Sequence, residues 1–224
     1  MSGVEDAFSI ETSRGETAAV LAVPAGAHAL VALGHGAGAG MGSPFMQGIA
    51  RALRDAGVAT LLFDFPYMHA GRRSPDPAPA LVETWRAVAA AAGERTDLPI
   101  VVGGKSLGGR IASIAVSEGM AAHGLVFLGY PLHPPGRPDR VRDEHLDRVS
   151  VPMLFVQGTR DAFARPDLLA AVLGRLGDRA RIVTVDGGDH SFRVPGGERD
   201  GGRIGAGLAG PVAEFVESVA GRAP

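Results

Sequence analysis

Ile100-Val101-Val102-Gly103-Gly104-Lys105-Ser106-Leu107-Gly108-Gly109-Arg110 is the stretch on which the reading of this chain turns. A short apolar run meets a glycine pair and a lysine–serine step, and a segment of helical character follows over 107–118. Residues 104–108 spell G-x-S-x-G between a strand and a helix. That spacing has a physical reason. A serine whose hydroxyl must stand clear above a sheet sits on a sharp, strained turn. Side chains two residues before and two after it would collide with the crossing strand and helix, so glycine is needed at 104 and 108. Leu107 then presents its backbone N–H at the first turn of the helix, facing a developing oxyanion. The competing reading is a glycine-rich turn with an incidental serine, and the spacing and context together favour the strained turn.

Outward from this turn, short runs of Val, Leu, Ile and Phe alternate with helical patterns. Strands are expected over 8–13, 17–23, 29–33, 58–63, 100–103, 125–128, 153–156 and 181–185, and helices over 44–56, 80–92, 107–118, 166–176 and 211–220. The later strands read as continuous apolar runs, as strands covered on both faces do. Ser43 before Pro44 reads as an N-cap followed by proline at the first helical position, and Gly57 as the glycine after a helix end. The alternation predicts one α/β domain over 1–224, a doubly wound, mostly parallel sheet of about seven or eight strands, its first two forming an antiparallel edge. Irregular stretches at 67–79, 131–140 and 193–207 should gather at the rim where such sheets bind ligands.

A serine alone is a poor nucleophile at neutral pH and needs a base held by an acid. Asp161 follows the run Phe155-Val156-Gln157-Gly158, and His190 follows Val185-Asp186-Gly187-Gly188-Asp189. Each lies just past a strand, so Ser106, Asp161 and His190 can meet at one rim as nucleophile, acid and base. Asp186 and Asp189 read as turn residues, since a neighbour of His190 in sequence points the wrong way. Gly34-His35-Gly36-Ala37-Gly38-Ala39-Gly40 follows another strand, and Ala37 is the candidate for a second oxyanion donor beside Leu107. His35, Tyr67, Lys105 and His133 are candidates for the substrate pocket, with His69 beside Tyr67. Lys105 is the only lysine. It either attracts a substrate carboxylate or points away beneath the turn, and the second reading is preferred.

Two rival motifs fail on context. Gly34, Gly36 and Ala39, with Asp64 at the end of the next strand, fit a dinucleotide fingerprint, but the following helix starts too late to meet a pyrophosphate. A phosphate-binding reading of Gly104-Lys105-Ser106 fails because its first glycine would fall on Pro99. The seven histidines are scattered, so no metal constellation and no cofactor are expected. The chain has 224 residues, 46% hydrophobic and 21% charged, with a formal net charge of −2. That balance argues against disorder and against nucleic acid as a partner. With no cysteine, disulfides and thiol catalysis are excluded. No apolar run is long enough for a membrane helix, and Glu5 and Asp6 stand where a signal peptide would be basic, so a cytoplasmic protein is expected.

The chain resembles the α/β-hydrolases, and more narrowly the dienelactone-hydrolase-like proteins related to the testis-expressed and KANSL-type hydrolase-like proteins. Phe65-Pro66-Tyr67-Met68, the segment 103–110, Gly129-Tyr130-Pro131-Leu132-His133-Pro134 and Gln157-Gly158-Thr159-Arg160-Asp161 carry the resemblance. It implies an α/β-hydrolase fold and a triad of Ser106, Asp161 and His190. It also implies an oxyanion hole from Leu107 and the Ala37 loop, and an ester or thioester substrate rather than an amide. Dienelactone hydrolases proper use cysteine, so that particular activity is not implied for a serine here. The loop at 131–140 is too short for a large cap, which suggests an open site for a small ester. The expectation is therefore a serine hydrolase of the carboxylesterase type acting on a small-molecule ester. The alternative is a non-catalytic binding or scaffold protein on the same fold. The oligomeric state is not legible.

Overall fold

The computed structural model describes residues 3–221. Eight strands form one sheet: β1 (Val4–Thr12), β2 (Gly15–Val23), β3 (Leu30–Gly34), β4 (Ala59–Phe63), β5 (Ile100–Lys105), β6 (Gly124–Leu128), β7 (Met153–Gly158) and β8 (Ala180–Val185). Their order is β1-β2-β4-β3-β5-β6-β7-β8. β1 and β2 pair antiparallel at one edge and β2 runs antiparallel to β4, while every pairing from β4 through β8 is parallel. The helices are α1 (Pro44–Asp55), α2 (Pro66–His69), α3 (Ala78–Gly93), α4 (Leu107–Ser117), α5 (Pro166–Leu176), α6 (Gly201–Gly207) and α7 (Ala209–Ala220).

Side chains alternate across the pleat, and both faces are apolar. Ala32, Phe63, Val102, Phe127 and Phe155 point to the face covered by α3, α4 and α5, where they meet Trp85, Ile111 and Leu169. Leu33, Leu62, Val101, Val126 and Val156 point to the other face, where they meet Met46 and Ile49 of α1, Ile204 of α6 and Phe215 of α7. The exception is β8. It ends the sheet, and Ile182 and Val183 are exposed at 41% and 36%. Its apolar run reflects strand propensity at an open edge, so the expectation that the later strands are covered on both faces does not hold there.

Two other expectations need correction. Residues 201–207 are helical, although 193–207 reads as irregular. Asp200 caps this helix, its side chain accepting the Arg203 N–H. Its glycines look like loop residues but serve packing. A Cβ on Gly205 would meet the Phe45 carbonyl oxygen of α1, and one on Gly48 of α1 would meet that of Gly202. Ser43 sits at the N-cap of α1 but makes no side-chain cap bond; it lines a pocket described below.

Candidate active site

The turn between β5 and α4 is as tight as its glycines require. Ser106 has φ 49° and ψ −108°, a conformation that few residues other than glycine adopt. Its N–H donates to the Leu128 carbonyl at 3.1 Å, tying the turn to β6. Gly34 on β3 pairs with Gly104, and a Cβ on either Gly104 or Gly108 would land on the Gly34 carbonyl oxygen. Both flanking glycines are therefore demanded by one neighbouring strand. From α3, the buried Trp85 donates its indole N–H to the Gly108 carbonyl at 3.1 Å, bracing the start of α4.

Ser106, His190 and Asp161, 84 and 29 residues apart along the chain, form one hydrogen-bonded row. His190 Nε2 lies 2.9 Å from Ser106 Oγ, and Nδ1 lies 2.8 Å from Asp161 Oδ2. The buried carboxylate fixes the ring proton on Nδ1, which leaves Nε2 to accept from the serine hydroxyl. Asp161 is further constrained. Its Oδ1 accepts the Phe163 N–H at 2.8 Å and its Oδ2 the Gln157 Nε2–H at 2.6 Å. Gln157 Oε1 in turn accepts the Tyr130 N–H at 2.8 Å. The Phe163 ring stacks on the imidazole at 4.1 Å between centroids. Sequence reading missed both residues as parts of the site. The signal for Gln157 was there, a polar residue inside the buried run of β7; Phe163 carried none. Asp189 behaves as a turn residue, its Oδ1 accepting the N–H groups of Ser191 and Arg193.

Lys105 runs beneath the turn. Its Nζ donates to the His190 carbonyl at 2.7 Å and lies 5.5 Å from the Phe192 ring centroid. Gly129, at φ 74°, makes the room, since a Cβ there would stand 3.2 Å from Nζ. Burial pulls the Lys105 ammonium down to about 8, against the opposing pull of Asp161 and Asp189.

The other pocket candidates lie elsewhere than expected. His35 is fully buried. Burial lowers its pKa and keeps it neutral. It donates Nδ1–H to the Gly36 carbonyl at 2.7 Å and accepts the Phe65 N–H at Nε2 at 3.0 Å. His133 repeats the device, with Nδ1 at 2.9 Å from the Pro134 carbonyl and Nε2 accepting the Arg165 N–H. Each clamps two loops together instead of facing substrate. Tyr67 is buried against Phe65, and burial raises its pKa. His69 is exposed at the end of α2. Sequence alone does not show which way a loop side chain turns.

The His35 clamp shapes the Gly34–Gly40 loop. Gly36 stands against the nucleophile candidate, with space for a Cβ 3.9 Å from that of Ser106, and Ala37 follows it at the surface. Asp64 Oδ1 braces the end of the same loop by accepting the Met41 N–H at 2.6 Å. Beside Gly36 and Lys105 opens a pocket of about 320 Å³, its apolar wall supplied by Phe45, Met46 and Ile204 from α1 and α6. Leu107 opens α4, so its N–H has no carbonyl of the helix to meet.

The sequence model of the alpha/beta hydrolase domain family matches residues 27–204. Among solved structures, the dienelactone hydrolase from Anabaena variabilis is 22% identical, with 98% of this chain and 100% of that one covered at a TM-score of 0.76. A serine hydrolase without lid from Xanthomonas campestris is 20% identical, covering 98% and 97% at 0.73. An esterase domain from Rhodothermus marinus is 18% identical, covering 94% and 98% at 0.69. At these identities the likeness is one of fold, and it holds over nearly the whole chain without a large cap.

Proposed function

The chain belongs to the α/β-hydrolase domain family, and on that premise we propose that it is a serine hydrolase cleaving a small ester or thioester through an acyl-enzyme. The observation that carries this is the unbroken hydrogen-bonded row from Ser106 Oγ through His190 to Asp161, at 2.9 and 2.8 Å. Ser106 Oγ attacks the acyl carbonyl as His190 Nε2 takes its proton. Asp161 holds the ring and stabilises the imidazolium that forms. The backbone N–H groups of Leu107 and Ala37 meet the tetrahedral oxyanion. His190 then returns its proton to the leaving oxygen or sulfur, and water, deprotonated by the same nitrogen, releases the acyl group. Structural neighbours described as an esterase, a serine hydrolase and a dienelactone hydrolase support this chemistry class. The last activity is not carried over, because its family's nucleophile is cysteine and this chain has none.

A screen of short-chain aryl esters with the wild type and Ser106→Ala side by side tests the reading. Turnover should fall by roughly 10⁴–10⁶ in the variant. A fluorophosphonate probe should label the wild type at Ser106 and leave the variant untouched. Turnover that survives Ser106→Ala would reject the mechanism. A wild type that neither labels nor turns over any ester points to a binding protein on a hydrolase fold.

A further inference from the structure

A groove of about 640 Å³ adjoins the two loops that carry Asp161 and His190. Three arginines, Arg160, Arg193 and Arg199, line it together with one acid, Asp189, over a floor that includes Gly187 and Gly196. We propose that this groove binds a phosphate monoester group carried by the substrate of the neighbouring site.

The charge balance points to a dianion. The chain as a whole is formally −2, yet this lining is +2. Among the described residues no ion pair engages Arg160, Arg193 or Arg199. The one acid in the lining, whose charge the +2 already includes, turns its Oδ1 onto two backbone N–H groups at 2.8 and 2.9 Å. Glu198, next to Arg199, turns its carboxylate onto the N–H groups of Arg199 and Asp200 and onto Arg203 instead. The guanidinium forks are thus available, and their planar donor pairs match phosphate oxygens. A phosphate monoester carries about −1.5 to −2 at neutral pH and balances the lining, whereas a carboxylate would leave net positive charge.

Position ties the groove to the chemistry. Arg160 precedes Asp161 in the chain. Arg193 lines both the groove and the 320 Å³ pocket beside Gly36 and Lys105. The groove and the pocket thus share a wall, and in the proposed mode one substrate has its scissile bond at Ser106 and its phosphate among the arginines. The part of this inference that concerns turnover rests on the hydrolase reading, and the test separates the two.

In the first arm, Ser106→Ala protein is titrated calorimetrically with inorganic phosphate and with acetate at matched ionic strength. Phosphate should bind the more tightly. Its affinity should fall about tenfold when Arg193→Gln or Arg199→Gln is added, the loss of one charge-assisted pair. Arg14→Gln, on a distant exposed turn, should leave it unchanged. Equal affinity for both anions, or phosphate binding indifferent to the groove variants, overturns the proposal. In the second arm, the wild type is given three aryl esters: one phosphorylated on the acyl side, one on the leaving group, and the neutral parent. A lower KM for one phosphorylated ester, lost in Arg199→Gln, supports the proposal and shows which side of the bond faces the groove. Turnover with no phosphate preference overturns it. Phosphate-selective binding in the first arm with no ester turned over in the second supports the groove and rejects the hydrolase reading instead.

Discussion

Gln157 joins what the proposed chemistry needs held still. One amide bonds Asp161 Oδ2 at 2.6 Å and accepts the Tyr130 N–H at 2.8 Å, so the carboxylate that aims the imidazole is itself aimed from β7. Leucine at this position keeps the volume and removes both bonds. A hydrogen bond to a charged group contributes about 1.5–3 kcal/mol, so Gln157→Leu should lower kcat by roughly tenfold to a hundredfold. KM should move little, because Gln157 does not face the pocket. The buried Tyr130 N–H left without a partner should cost a further ~1–3 kcal/mol of stability, read from denaturant unfolding. An unchanged kcat would mean that Phe163 N–H and the surrounding packing orient Asp161 unaided. At this scale the row Ser106–His190–Asp161 was legible, because each of its residues lies just beyond a strand and parallel strands bring their ends to one rim. His35 and His133 were read as candidates for the substrate pocket, not as clamps. Their partners are backbone groups 30 and 32 residues away, and no local pattern announces those.

The elements show the same division. The strand–turn–helix around Ser106 was readable because its glycines have only one use, backbone in contact with backbone at Gly34. The same use of glycine hid α6. Gly201, Gly202, Gly205 and Gly207 lower helix propensity by about 1 kcal/mol each, which outweighed the other local signals. The Asp200 cap and the spacing of Ile204 and Leu208 were the overlooked signals. α6 forms because α1 accepts it at backbone distance, a tertiary reason. Gly205→Ala tests this. Alanine raises helix propensity, so if α6 were held by local preference the variant would be more stable. Because the new Cβ would meet the Phe45 carbonyl, the expected outcome is a loss of about 1–3 kcal/mol in chemical denaturation. Phe45 and Ile204 both line the 320 Å³ pocket, so KM for a small aryl ester should rise as the two helices separate.

For the whole molecule, the testable consequence is how stability follows pH. Three bases with lowered pKa values shape it: His35, His145 and Lys105. His145 joins the turn Glu144–Arg148 to α4 through Ser113 Oγ at 2.8 Å; burial, with Arg110 and Arg148 nearby, pulls it from 6.5 to about 4. Lys105, beneath the Ser106 turn, is pulled by burial from 10.5 to about 8. Where the folded pKa is the lower, the unfolded chain binds more protons between the two values, so stability rises with pH across that interval. His145 therefore raises stability as pH climbs from about 4 to 6.5, and Lys105 as it climbs from about 8 to 10.5. Each step is at most roughly 3–4 kcal/mol, since a tenfold change in proton affinity corresponds to about 1.4 kcal/mol. The buried hydroxyls of Tyr67 and Tyr130 have raised values, so above pH 10 the unfolded chain loses their protons first and stability falls again. Denaturant midpoints taken from pH 4 to 11 should trace two rises separated by a plateau between 6.5 and 8, then a decline. His145→Gln keeps a donor for Ser113 and should reduce the lower rise, to which buried His35 also contributes, while leaving the upper rise unchanged. Lys105→Met should flatten the upper rise alone, while lowering kcat at every pH through loss of the anchor on the His190 carbonyl. If the upper rise persists in Lys105→Met, its ammonium is not the group that burial penalises.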